Sequence, residues 1–261
     1  MAPHERVVYG PVRSRRLGRS LGINLLPAGL KVCNMNCAYC QYGWTRGRTR
    51  TQPPGATWPA AQTVAAALTA RLALAAERNE IIDRITVAGH GEPTLHPEFE
   101  EITARMQFVR DRFAPGIPLA ILSNSTTAGW EDVRRALALY DERYMKLDAG
   151  DPITYARLNG PGASVTEIVQ HLQEVPSICI QSMFVTEDAH QVDNSTDGAV
   201  NEWLAAVASV RAREVHIYTL DRPPALAALK PVSRRRLREI AERVRAAGIH
   251  AELFAPRTSS S

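Results

Sequence analysis

Three cysteines, Cys33, Cys37 and Cys40, stand in the segment Cys33-Asn34-Met35-Asn36-Cys37-Ala38-Tyr39-Cys40, with C-x3-C-x2-C spacing. Three thiolates on one short loop reach three corners of a cubane iron-sulfur cluster and leave its fourth iron without a protein ligand. An iron with an open position can bind and activate a small molecule, whereas a cluster closed by four cysteines mainly transfers electrons. The competing chemistry is a structural zinc site with His90 or His96 as fourth ligand. Such sites favour a C-x2-C half-site paired with a second half-site, and no second half-site follows here. Cys179 lies apart in the apolar run Ile178-Cys179-Ile180 and reads as a buried strand thiol that behaves as a small hydrophobe.

Other catalytic patterns are weak. His90-Gly91-Glu92 and His96 lack the helical spacing of a zinc protease, and Pro93 and Pro97 forbid a regular helix there. Gly160-Pro161-Gly162 is a turn, and no phosphate-binding loop sequence is present. Arg234-Arg235-Arg236-Leu237-Arg238 opens a helix whose arginines read as a solvated face with i, i+4 ion pairs.

The elements that must position the cysteines alternate in type. Strands are expected at 21–25, 84–88, 118–123, 144–147, 178–185, 214–218 and 249–254. Helices are expected at about 60–79, 98–113, 130–141, 164–174, 197–211 and 233–247. Six strand-helix units imply a parallel sheet covered by helices, since parallel strands need crossover connections. Ligands of such folds bind at the carboxyl ends of the strands, where the cysteine loop lies. Residues 1–20 read as a basic lead, 21–254 as the core domain and 255–261 as a disordered tail.

The chain has 261 residues, 45% of them apolar, and a formal charge of +4. Residues 1–50 carry +8 and the other 211 sum to −4. The positive charge therefore sits beside the cysteines and suits an anionic substrate or carrier. Arg46, Arg48 and Arg50, with Tyr42 and Trp44, suit either a phosphate backbone and stacked base or closure over a cofactor. Arginines near Met1 interrupt any signal-peptide core, and no apolar run is long enough to span a membrane. A soluble cytoplasmic chain with reduced thiols is expected.

The cysteine spacing with Tyr39 as its aromatic resembles the radical S-adenosylmethionine (SAM) superfamily. The stretches Ser14 to Asn24, Lys31 to Asn34, Cys40 to Gly43, Gly89 to Thr94, Lys146 to Asp151 and Tyr218 to Pro224 further resemble iron-sulfur oxidoreductases related to the radical enzymes of wyosine-type tRNA modification. The resemblance implies a (β/α)6 partial TIM barrel and a 4Fe-4S cluster on Cys33, Cys37 and Cys40. It also implies SAM as the cofactor, cleaved to a 5'-deoxyadenosyl radical that abstracts hydrogen from a substrate. On this reading Tyr39 lies near the adenine, and Gly91 and Glu92 stand where the family's Gly-Gly-Glu motif meets the methionine amino group, with His90 in place of one glycine. Ser123 and Asn124 are placed for the ribose hydroxyls and Lys146 for the methionine carboxylate. The implied partner is an electron donor of the flavodoxin or ferredoxin type. A wyosine-like reaction on tRNA is one alternative, although the second cysteine cluster of those enzymes has no ligands here beyond Cys179. A non-catalytic iron-sulfur or zinc-binding module is the other.

Overall fold

The structure is a computed structural model that describes residues 6–45, 57–188 and 191–254. Arg46, Arg48, Arg50 and the tail 255–261 lie outside the described residues. The chain divides into two compact units, one of residues 2–34 and 45–144, the other of Met1, 35–44 and 145–261.

In the first unit β1 (Val8–Ser14) pairs antiparallel with β2 (Gly18–Ile23), and β2, β3 (Arg84–Val87) and β4 (Leu119–Ser123) run parallel. Leu21, Ile23, Ile85, Val87, Leu119 and Ile121 are wholly buried, as expected of parallel strands covered on both faces. The covering helices are α1 (Ala61–Glu77), α2 (Phe99–Phe113) and α3 (Glu131–Ala138). α2 buries Phe99, Ile102, Met106 and Val109 at helical spacing, with Glu100 and Glu101 in its first turn and Arg110 and Arg112 in its last, which complements the helix dipole.

β5 (Glu142–Lys146) leads out of that unit. In the second unit β6 (Ile178–Thr186), β7 (Glu214–Thr219) and β9 (His250–Phe254) are parallel, and the short β8 (Lys230–Pro231) pairs antiparallel with β6. Its helices are α4 (Pro152–Asn159), α5 (Val165–Leu172), α6 (Asp197–Val210) and α7 (Arg234–Ala246). Asp151, Ser164, Thr196 and Ser233 cap them, each side chain accepting from a first-turn N–H. Two arginines of the run opening α7 are spent on ion pairs, Arg236 with Asp197 at 2.6 Å and Glu239 at 3.2 Å, and Arg235 with Glu239 at 3.5 Å. No helix among the described residues is long and apolar enough to cross a membrane.

Two strands and one α-helix are absent from the sequence reading. β1 was hidden because Gly10, Pro11 and the arginines mask Val8, Tyr9 and Val12. It forms because the Tyr9 ring lies where a Gly22 side chain would go, 2.2 Å from an added Cβ, and its hydroxyl donates to Ala88 O at 3.0 Å. α4 carries a legible start signal, an Asp cap followed by Pro at the first helical position, obscured by Gly160-Pro161-Gly162 just beyond it. β8 is two residues long and has no pattern to read.

Candidate functional site

In the first unit Val32 leads into Cys33, and its carbonyl accepts from Glu92 N at 2.9 Å. An added Cβ on Gly91 would sit 1.7 Å from the same carbonyl oxygen, so glycine is required for the loop to pass. The Glu92 carboxylate is 1% exposed. It accepts from Thr94 N at 3.2 Å, Thr94 Oγ1 at 2.6 Å, Ser123 Oγ at 2.9 Å and Asn124 N at 2.6 Å. Burial raises its pKa, and these four donors counter that rise. Glu92 thus binds the turn after β3 to the end of β4. The Asn124 amide donates to Asn34 Oδ1 at 2.9 Å and lies 3.6 Å from Cys33 Sγ, while its oxygen accepts from Thr126.

The second unit holds Cys37, Tyr39, Cys40 and Lys146. Residues 36–38 zip onto the end of α4, with Asn36 N donating to Asn159 O at 3.0 Å and Ala38 N to Leu158 O at 2.8 Å. The Asn159 amide then points back at the loop, 3.4 Å from Cys37 Sγ, 2.9 Å from Tyr39 OH and 3.1 Å from Asp148 Oδ2. Tyr39 OH donates to Asp148 Oδ2 at 2.5 Å. Lys146 Nζ meets Asp148 Oδ1 at 2.8 Å and Tyr218 OH at 2.8 Å, and lies 4.7 Å from the Tyr39 ring centroid and 5.0 Å from that of Tyr218. Burial works against the Lys146 charge, but the Asp148 carboxylate and Tyr218 outweigh it, so its pKa rises. Burial also pushes up the Cys37 thiol, while hydrogen bonds from Tyr39 and Asn159 pull it down.

The donor set suits an iron-sulfur cluster. None of the four cysteines forms a disulfide, and amide N–H groups of Asn124 and Asn159 face the sulfurs of Cys33 and Cys37, as outer hydrogen bonds to cluster thiolates do. Asn159 Oδ1 is buried with no donor among the described residues, which leaves an acceptor for a bound group. Zinc fits less well. His90 Nε2 is 3.0 Å from Pro27 O, His96 Nε2 is 3.0 Å from Pro59 O, and His96 Nδ1 accepts from Glu98 N at 2.9 Å. Both imidazoles are committed to backbone.

Ser123 and Asn124 are brought to Glu92 as an internal network, and Lys146 to Tyr39 through Asp148. The residues that sequence reasoning missed are the organisers. Asn159 had a faint signal as the last residue of a capped helix, whereas the tie from Tyr39 to Asp148 had none.

A sequence profile described as Radical SAM superfamily matches residues 30–186, and the chain belongs to that superfamily. It is an enzyme, with a 4Fe-4S cluster and SAM as its cofactors, on an α/β fold with a parallel sheet. A Helicobacter pylori protein named UPF0026 protein is 30% identical over 86% of this chain and 69% of its own length. A UPF0026 protein of Synechocystis sp. is 31% identical over 84% of this chain and 77% of its own. In fold, the chain is similar to a radical SAM methyltransferase from Sphaerobacter thermophilus, with TM-score 0.64, 17% identity and coverage of 92% of this chain and 67% of that one. It is also similar in fold to TYW1 with a lysine-pyruvate adduct bound, with TM-score 0.59, 14% identity and coverage of 87% and 73%.

Proposed function

We propose that Cys33, Cys37 and Cys40 ligate one 4Fe-4S cluster and that the chain cleaves SAM there to act by hydrogen abstraction on an anionic substrate. The observation that carries this reading is a three-thiol loop with amide N–H groups at two of its sulfurs, Asn124 at Cys33 and Asn159 at Cys37. When bound and reduced, such a cluster supplies the electron that splits SAM into methionine and a 5'-deoxyadenosyl radical.

The chain's residues prepare that chemistry. Asn124 and Asn159 orient the sulfurs and donate to them, which stabilises negative charge on thiolate. Glu92 fixes the ends of β3 and β4, and Gly91 lets the segment leading to Cys33 pass close against that turn. The residues proposed to face SAM are Tyr39 and Lys146 in one unit, with Lys146 as the cation for a carboxylate, and Gly91, Glu92, Ser123 and Asn124 in the other. The required reductant is proposed to be a flavodoxin or ferredoxin, in a cytoplasmic, reducing compartment that spares an oxygen-sensitive cluster.

Anaerobic reconstitution followed by dithionite and SAM should yield 5'-deoxyadenosine and methionine from the wild type and neither from Cys37→Ala. Intact SAM in the fully loaded wild type ends this reading. The net +8 of residues 1–50 supports the anionic substrate. Binding of bulk tRNA at two salt concentrations separates a polyanion from a small ligand. Each phosphate contact costs roughly 0.9 log units of affinity per tenfold salt on duplex and about 0.7 on single strands. No tRNA binding at low salt leaves a small phosphorylated or carboxylated substrate.

A further inference from the structure

At the amino ends of β6, β7 and β9 a second group of ligand-type side chains comes together, away from the cysteine loop. Cys179 on β6 pairs in register with Glu214 on β7, and Glu214 with His250 on β9. Residues in register on parallel strands share a face, and His216, two positions along β7, shares it too. The Cys179 sulfur, a Glu214 carboxylate oxygen and a His216 ring nitrogen all lie within 4.8 Å of one another. Glu214 Oε1 is 3.2 Å from His216 Nε2 and 3.4 Å from His250 Nδ1. Arg213 approaches only the other carboxylate oxygen, at 3.8 Å.

We propose that this group is a structural site for a zinc-class divalent metal, with Cys179, Glu214 and His216 as ligands and His250 as the fourth. One soft thiolate with imidazole and carboxylate is a zinc-type donor set and a poor one for magnesium or calcium, which prefer oxygen alone. Ligand atoms around tetrahedral zinc stand roughly 3.3–3.8 Å apart, so modest rotamer changes close the observed spacing. The ligands stand on adjacent strands, which hold them more firmly than a loop can. Cys179 is 1% exposed and the His216 side chain 4%, while the His250 side chain is 65% exposed and gives an ion its way in from solvent. The metal pins the starts of three parallel strands, at the opposite end of β7 from Tyr218 and Lys146. A barrel-type sheet uses that end for stability and not for catalysis.

The test uses the cluster-loaded protein, dialysed against zinc chloride with a competing chelator, with zinc and iron counted separately and the zinc environment read by X-ray absorption. The wild type should hold one zinc per chain beyond its cluster iron, with one sulfur at about 2.3 Å and lighter ligands at about 2.0–2.1 Å. Cys179→Ala and His216→Gln should each weaken zinc binding at least tenfold and leave the iron count unchanged. Glu242→Gln, exposed on α7 and away from these strands, should change neither. Equal zinc in wild type and Cys179→Ala, no zinc in the wild type, or a zinc shell with no sulfur or several overturns the proposal. If a variant fails to fold, the wild-type absorption spectrum decides by the same ligand count. Because zinc and iron are counted apart, failure here is distinct from failure of the cluster assignment.

Discussion

The hydroxyl of Tyr39 is tied to the buried carboxylate of Asp148 by a 2.5 Å hydrogen bond. Asp148 is 1% exposed and also receives Lys146 and Asn159, so one carboxylate fixes an aromatic, a cation and the amide that faces Cys37. Burial, followed by the neighbouring carboxylate, raises the Tyr39 pKa well above its usual range, so the phenol stays protonated and donates.

Removing the two partners should therefore cost unequally. Asp148→Ala leaves the Lys146 charge without its buried partner and is expected to lose about 3–5 kcal/mol. Tyr39→Phe removes two hydrogen bonds, one given to Asp148 and one accepted from Asn159, and should lose about 1–3 kcal/mol. Urea unfolding of both variants checks the order, and a Tyr39→Phe loss equal to that of Asp148→Ala refutes it.

Single alanine variants of Cys33, Cys37 and Cys40 should each lose the cluster, whereas Cys179→Ala keeps it. Cys179 is buried on β6 and shares no loop with the others. Iron and sulfide counts read the result. Full retention of the cluster in Cys37→Ala, or complete loss in Cys179→Ala, contradicts the assignment.

Much of this was readable in the chain. Cluster spacing is a property of covalent neighbours, so Cys33, Cys37 and Cys40 stand out without a fold. The long helices announce themselves by apolar period and polar caps, as α7 does with Ser233 ahead of Leu237, Ile240 and Val244. What remained hidden depends on contacts distant in sequence. Tyr39 meets Asp148 across 109 positions and Asn159 across 120, and no local pattern encodes either meeting. Gly91 was legible as a site of close backbone approach, but the sequence points it toward a cofactor, and the observed close neighbour is Val32.

That neighbour changes what a Gly91 substitution should do. Gly91→Ala forces the Val32 carbonyl aside and with it the adjoining Cys33, so it should lower cluster loading as well as SAM cleavage, at a cost of about 1–3 kcal/mol. Glu92→Gln keeps the shape of its network and should retain most of the cluster, with a larger fall in 5'-deoxyadenosine yield. Absorbance near 400 nm, the approximate band of sulfide-to-iron charge transfer, reports loading. Wild-type loading in Gly91→Ala shows that the loop can move away at no cost.

His96 predicts an acid-sensitive fold. Burial holds its pKa down at about 4, against an ordinary 6.5, with the Pro59 carbonyl and Glu98 opposing weakly. Between those values the unfolded chain takes up a proton that the folded chain refuses. The contribution is therefore complete above about pH 6.5 and is lost as pH falls toward 4, by about 3 kcal/mol. Urea midpoints from pH 7 to pH 4 should fall more steeply for the wild type than for His96→Gln. Parallel curves assign the acid sensitivity elsewhere.

The β1–β2 hairpin has a consequence for solubility. Among the described residues β1 ends the strand order, and it is blunted by a register irregularity between Tyr9 and Val12, by Pro11 and by Arg13. β2 beneath it is buried from Ser20 to Ile23, with Leu21 and Ile23 wholly buried. A chain lacking residues 6–14 presents β2 as an uncovered edge whose backbone groups can pair with another copy. Such a truncation should aggregate in a concentration-dependent way, visible by light scattering before any loss of secondary structure. The arginine-rich start of the chain thus works as a guard against edge-to-edge association, whatever else its charge attracts.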